Sequence, residues 1–206
     1  MSALLMTKPL PSRERTAARP RRDFVDADDA SLVLRAQGGD EWALEALFRR
    51  HVDGVTRLVT RLVGRTHDAD DAVQDAFAEA LRDLSKLREP GAFGAWLHRI
   101  AVNRSRKMYR RRRLLRSFGL DRGIDDATLS QLASASASPE DLAELAGIDR
   151  ALGRLPTEQR IAWMLRHVEE HSLPEVAALT GCSLATAKRR VAAAESALAA
   201  HARRGT

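Results

Sequence analysis

The chain has 206 residues, with 34 Lys and Arg against 28 Asp and Glu for a formal charge of +6, and an isoelectric point near 10.3. Hydrophobic residues make up 44% but aromatic residues only 4%, which suits small Ala/Leu-rich helical domains, and the clustered positive charge points to a polyanionic partner. The single cysteine, Cys182, excludes an internal disulfide or a multi-cysteine metal site, and with no apolar run long enough for a membrane span or a signal core, the chain is expected in the cytoplasm.

Residues 1–27 are basic and proline-punctuated, as in Arg19-Pro20-Arg21-Arg22, and read as a disordered tail. A helical domain is expected over 28–113. Leu44, Leu47, Phe48, Val52, Val55, Val59 and Leu62 mark an amphipathic helix closed near Gly64. Ala69, Ala72, Val73, Ala76, Phe77, Ala80, Leu81 and Leu84 mark a second, capped by Asp68. Its opposite face shows Asp70, Asp71, Gln74, Asp75 and Ala78, acidic and expected to point away from the basic helix that follows. Such a face repels DNA and suits a protein partner, although a plain solvated face would look the same.

The third helix runs from about Ala92 into an arginine run and buries Phe93, Leu97, Ile100 and Ala101. From His98 to Arg116 it holds nine Lys or Arg and no acid. Each phosphate such a helix neutralises steepens the salt dependence of binding by about 0.9 on a log–log plot. Trp96 and Asn103 share a face with Arg99 and Arg106. An aromatic platform and an amide among cations suit unstacked bases, and equally a core tryptophan beside a capping or solvated asparagine.

Residues 114–138 hold Gly119, Gly123 and a Ser/Ala-rich stretch and read as an acidic flexible linker; over 114–149 there are seven acids against two arginines. A second domain, 139–206, starts with helices over Pro139–Gly153 and Thr157–Glu170. No strand-like alternation and no internal repeat occur, so the expected fold is all-α, two small helical domains joined by a flexible linker.

The domain ends in a helix-turn-helix pattern. Ser172 and Glu175 form a capping box, and Pro174 sits in the first turn, where its missing N–H costs little. Ala177 provides a small side chain at the helix crossing, Gly181 the left-handed turn, and Ser183 the next cap. Leu184, Ala187, Val191 and Leu198 are expected to point inward. Ala185, Thr186, Arg189 and Ala193 take the opposite face, flanked by Lys188 and Arg190. Thr186 and Arg189 suit base edges in the major groove, while Lys188 and Arg190 suit phosphates. An ordinary αα-hairpin with a solvated basic face is the plainer reading.

In this order the blocks resemble a known family. Asp70-Asp71-Ala72-Val73-Gln74-Asp75-Ala76-Phe77, followed by Trp96-Leu97-His98-Arg99-Ile100-Ala101-Val102-Asn103, is similar to the second conserved region of bacterial sigma-70-type factors. Leu155-Pro156-Thr157-Glu158-Gln159-Arg160 with the helix-turn-helix is similar to the fourth region. The short acidic linker in place of a middle domain resembles the extracytoplasmic-function (ECF) group, over about 28–113 and 139–203. The resemblance implies an RNA polymerase sigma factor that recognises −35 and −10 promoter elements and assists opening. It assigns core polymerase binding, at the β′ clamp helices, to Asp70, Asp71, Gln74 and Asp75, with the β flap as a further contact. It assigns −10 recognition to Trp96, Arg99, Asn103, Arg104, Arg106, Lys107 and Arg110. It assigns −35 recognition to Ser183, Ala185, Thr186, Lys188, Arg189 and Arg190. It further implies an anti-sigma partner covering these surfaces, and a linker threading toward the active-site and RNA-exit channels. Ala187 stands where the family usually has valine, His98 where an aromatic is common, and Arg189 where a small residue is frequent, which implies a shifted −35 preference.

Catalysis is not expected: there is no phosphate-cradling glycine loop, no nucleophile elbow and no cofactor or metal motif beyond the isolated pair His167 and His171. Two other readings remain open: a stand-alone helix-turn-helix regulator, and an interaction protein binding RNA through its arginine-rich helix.

Overall fold

The computed structural model describes residues 27–64, 67–118, 129 and 138–205; the N-terminal tail through residue 26 and most of the linker lie outside the described residues. All regular structure among the described residues is helical. The elements are α1 (Asp29–Gln37), α2 (Glu41–Val63), α3 (His67–Asp83), α4 (Phe93–Ser117), α5 (Pro139–Arg154), α6 (Thr157–His167), α7 (Leu173–Thr180) and α8 (Leu184–Gly205), with 3-10 turns at Leu84–Lys86 and Pro90–Ala92.

Local chemistry fixes most of the ends. The Asp28 carboxylate accepts from the Ser31 N–H, and the Asp40 carboxylate from Trp42 and Ala43, so α1 and α2 each start on an aspartate cap, worth about 1 kcal/mol apiece. Arg35 grips Asp40 through Nε and Nη2 at 3.0 and 2.8 Å, locking the tight α1–α2 turn. Gly64 ends α2 with φ 80°. Asp68, expected as the cap of α3, lies inside its first turn instead. There it receives Arg112 Nε at 2.9 Å, so a tertiary ion pair has taken the carboxylate.

The N-terminal half packs α1, α2 and α3 around α4. Val55, Val59, Leu62, Ala76 and Leu97 are fully or almost fully buried, as are the expected Phe93, Ile100 and Ala101. Phe48 and Leu81, read as core, are instead 45% and 54% exposed. Phe48 meets Phe77 with the rings tilted by 59° and their centroids 4.6 Å apart. The C-terminal half packs α5, α6 and α7 against α8 around Leu152, Ile161, Met164, Leu165, Val176 and Ala187. Helix α6 is shorter than expected: it stops at His167, and Glu170 takes a left-handed φ of 58° in the turn to α7.

The two halves share one continuous buried cluster. Helix α4 lies against α6 and α7, and α2 also touches α6. At that junction Tyr109 of α4 is buried; its hydroxyl donates to the Leu62 carbonyl at 2.8 Å, and the Arg160 guanidinium of α6 sits 4.6 Å from its ring centroid. Arg61 of α2 pairs with Glu169 across the same junction at 3.5 Å. Of the linker, Leu129 is described: its N–H donates to both oxygens of the buried Asp149 at 2.9 and 3.0 Å.

Candidate nucleic-acid and polymerase interfaces

Helix α4 positions its functional side chains by simple periodicity. Leu97, Ala101, Ser105 and Tyr109 recur every four residues and are buried, and the Ser105 hydroxyl is satisfied by the Ala101 carbonyl at 3.0 Å. That inward stripe leaves Arg99, Asn103, Arg106 and Arg110 along another face. On this face Arg99 and Arg110 are exposed, whereas Asn103 and Arg106 are half-buried. The Arg99 guanidinium lies 3.5 Å from where a Cβ on Gly181 would stand. Arg106 donates to Asn103 Oδ1 at 3.0 Å, to the Thr180 carbonyl at 3.1 Å and to Glu158 Oε2 at 2.6 Å. Arg110 reaches the same carboxylate at 2.5 Å.

Trp96 is half-buried, its ring centroid 6.0 Å from that of Phe93. It lines a cavity of about 810 Å³ between the halves, together with His51, His98, Arg99, His171 and Glu175. Burial, reinforced by the charges of His51 and His171, holds His98 below its ordinary value. Burial likewise pushes Glu169 up, against the opposing charges of Arg61 and His171.

Asp70, Asp71, Gln74, Asp75 and Ala78 are all exposed on α3, as the periodicity predicts. They are not remote from the basic helix. Arg104 of α4 reaches Asp75 at 3.2 Å and binds Glu79 through Nε at 2.6 Å. Arg112 is 3% exposed against Asp68. Packing of α3 on α4 therefore turns two of the run's cations inward, and Arg104 serves its own domain in this structure. Lys107 and Arg111 are exposed.

The helix-turn-helix follows its sequence closely. Ser172 and Glu175 cap each other, with Ser172 N–H to Glu175 Oε2 at 2.7 Å and the return bond at 3.4 Å. Their exchange holds the Glu175 carboxyl below its usual range, the Ser172 side chain contributing most. Gly181 is left-handed at φ 64°, and Ser183 Oγ accepts from the Thr186 N–H at 3.2 Å. Ala187 and Val191 are buried as expected, joined by Ala194, whereas Leu184 is 41% exposed, because the first residue of α8 projects past the turn rather than into the core. Ser183, Ala185, Lys188 and Arg189 face solvent. Thr186 is half-buried, its hydroxyl 2.9 Å from Ser183 Oγ. Arg190 is drawn inward to Glu158 at 3.3 Å.

Glu158 thus holds three of the nominated arginines, a role that no local pattern announces. Burial pushes its carboxyl up, but the hydrogen bonds of Arg106 and Arg110 and the charges of Arg106 and Arg190 outweigh it and hold Glu158 below its ordinary value. Among the described residues no His, Cys, Asp and Glu group could hold a metal ion, and no helix is long and apolar enough to cross a membrane.

Comparison with known proteins meets this geometry at both ends. Residues 47–114 match the family model for sigma-70 region 2 and residues 145–198 that for sigma-70 region 4. The chain is 34% identical over 175 residues to the ECF RNA polymerase sigma factor SigM of Mycobacterium tuberculosis, covering 84% of each protein. It is 35% identical over 179 residues to the ECF RNA polymerase sigma-E factor of Escherichia coli, covering 82% of this chain and 92% of that one. Among solved structures, CnrH in complex with the cytosolic domain of CnrY aligns with a TM-score of 0.58 at 28% identity, over 86% of this chain and 99% of CnrH. With both regions matched in order and the helical fold shared, the chain belongs to the ECF group of the sigma-70 family.

Proposed function

We propose that this chain is a sigma subunit that binds core RNA polymerase and directs it to promoters carrying −35 and −10 elements. The observation that carries the reading is the coexistence of three chemically distinct surfaces on one small helical scaffold. The exposed acidic face of Asp70, Asp71, Gln74 and Asp75 suits a basic partner surface such as the β′ clamp helices. The stripe of Trp96, Arg99, Asn103, Arg106 and Arg110, with Lys107 beside it, suits an unpaired strand at the −10 element. The exposed Ala185, Lys188 and Arg189, with Ser183 and Thr186 at the helix start, suit the major groove at −35. Arg104, bound to Glu79 and Asp75, positions α4 on α3 and reaches DNA only by exchanging those partners.

Bond-forming chemistry belongs to the polymerase; this chain supplies recognition and strand separation. CnrH forms a complex with the cytosolic domain of CnrY, and RpoE of Bartonella quintana one with the anti-sigma factor NepR; an anti-sigma protein is the matching regulator for this chain.

Run-off transcription with added core polymerase and mapped start sites is the test. Start sites that align on two common upstream elements support the reading, and failure to initiate from any promoter in a genomic library refutes it. Asp71→Arg, at a side chain 60% exposed, is expected to weaken core binding about tenfold or more through like-charge repulsion. Binding to the −35 duplex by the free chain stays unchanged.

A further inference from the structure

The Glu158 carboxylate, in the first turn of α6, is the meeting point of three guanidinium groups from both halves of the chain. Arg106 contacts both oxygens, at 3.1 and 2.6 Å; Arg110 contacts one at 2.5 Å and Arg190 the other at 3.3 Å. The Arg106 and Glu158 side chains are 17% and 22% exposed, so water screens this cluster less than a surface pair. Three cations converging on one anion reproduce the surroundings of a contacted DNA phosphate. Asn103 is engaged by Arg106, and Arg106 also donates to the Thr180 carbonyl. Ala185, Lys188 and Arg189 of α8, in contrast, face solvent.

We propose that Glu158 is an internal phosphate mimic: it latches α4 to the C-terminal half, so that the free chain withholds Asn103 and Arg106 of its strand-opening face while leaving Ala185, Lys188 and Arg189 of its duplex-reading helix accessible. The proposal rests on the reading of α4 as the −10 surface. It adds an order of events. The exposed Ala185, Lys188 and Arg189 can engage DNA with the latch closed, and Arg110, its side chain 58% exposed, stays partly accessible. Asn103 and Arg106 become available only when a stronger set of contacts replaces Glu158. Closure lowers the apparent affinity for a single strand by the fraction of molecules that stand open.

The test uses the full-length chain and two charge-matched variants. Glu158→Gln removes the latch charge. Glu144→Gln removes one acid from an exposed position on α5 and controls for the gain in net charge. Fluorescence anisotropy reads binding to a single-stranded −10 oligonucleotide taken from a mapped promoter, and small-angle X-ray scattering reads the radius of gyration. Glu158→Gln is expected to bind the strand about tenfold tighter than the parent and to expand, while Glu144→Gln changes strand binding less than about twofold. On the −35 duplex the two variants differ by no more than the one phosphate contact that Arg190, released from Glu158, can add. Equal strand affinities for the two variants, or a Glu158→Gln chain as compact as the parent, overturn the latch. Run-off transcription on the same preparations separates the two failures. If the parent initiates normally, such a result overturns the latch alone; if the parent initiates from no promoter, the DNA reading falls and the latch with it.

Discussion

Tyr109→Phe isolates one bond at the junction of the two halves. Tyr109 is 6% exposed, and its hydroxyl donates to the Leu62 carbonyl at 2.8 Å. Leu62 lies in the last turn of α2, where carbonyls lack a partner within the helix. The substitution therefore strands a buried acceptor while keeping the ring, its packing and the Arg160 guanidinium 4.6 Å from its centroid. The expected cost is about 1–2 kcal/mol. For a chain of this size each kcal/mol lowers Tm by roughly 2–4 °C, so calorimetry should show a drop of about 2–8 °C. Urea unfolding should show a lower midpoint at unchanged m. Tyr109→Ala also removes the ring and leaves a cavity, and should cost about 3–5 kcal/mol. A Phe variant as stable as the parent would refute the assignment, because it would mean that the Leu62 carbonyl is satisfied without the hydroxyl.

Two further outcomes follow from the turn and the interdomain cavity. Gly181→Ala places a Cβ at φ 64°, with the Arg99 guanidinium at an ordinary contact distance of 3.5 Å; backbone strain alone should cost about 1–2 kcal/mol, and an unchanged urea midpoint would contradict the left-handed turn. His98, held below its ordinary value by burial and by the charges of His51 and His171, binds fewer protons folded than unfolded just below about pH 6.5. Its stabilising contribution is present above that pH and is lost as pH falls toward its depressed folded value. Glu169, pushed up by burial, contributes with the opposite sign, stability being lost as pH rises through its folded value. The parent is therefore compared with His98→Gln in urea midpoints between pH 7.5 and 5.5. A shallower slope in the variant is expected, and identical slopes would reject the buried histidine as a source of pH sensitivity.

The caps and the turn of the helix-turn-helix were legible because their determinants are local, whereas Leu184 and Arg190 were not placed by the pattern. A capping box spans three residues, a left-handed glycine ends one helix, and a serine starts the next. Where side chains meet across long stretches of sequence, the reading failed in a consistent direction. The arginine run reads as cations that neutralise phosphates, yet Arg112 is buried on Asp68, 44 residues earlier. Arg104 is held by Glu79, 25 residues earlier. Asp68 looked like a cap because aspartate before an apolar run usually is one; only the packing of α3 on α4 shows that its carboxylate is spent on Arg112. Phe48 and Leu81 fit the apolar period, but both line a small cleft beside Leu44, Phe77 and Phe93 and remain partly outside the core.

Those long-range pairs change what the charge of α4 means. A count of cations overstates the helix's pull on DNA, since the intercept and slope of a salt titration report only cations that exchange counterions for phosphates. Arg104 and Arg112 already neutralise carboxylates within the N-terminal half, where their pairing holds α3 and its acidic face in register. Lys107 and Arg111 are exposed and can act at once. Arg106 and Arg110 form a third class, paired across the junction to a single glutamate on the other half. The basic run is thus divided among scaffold, standing attraction and a releasable reserve. On the proposed assignment of α4 to the −10 strand, this reserve would couple the relative position of the two halves to strand affinity, and such a coupling would give a two-domain factor a physical means of recognising one promoter element before it opens the other.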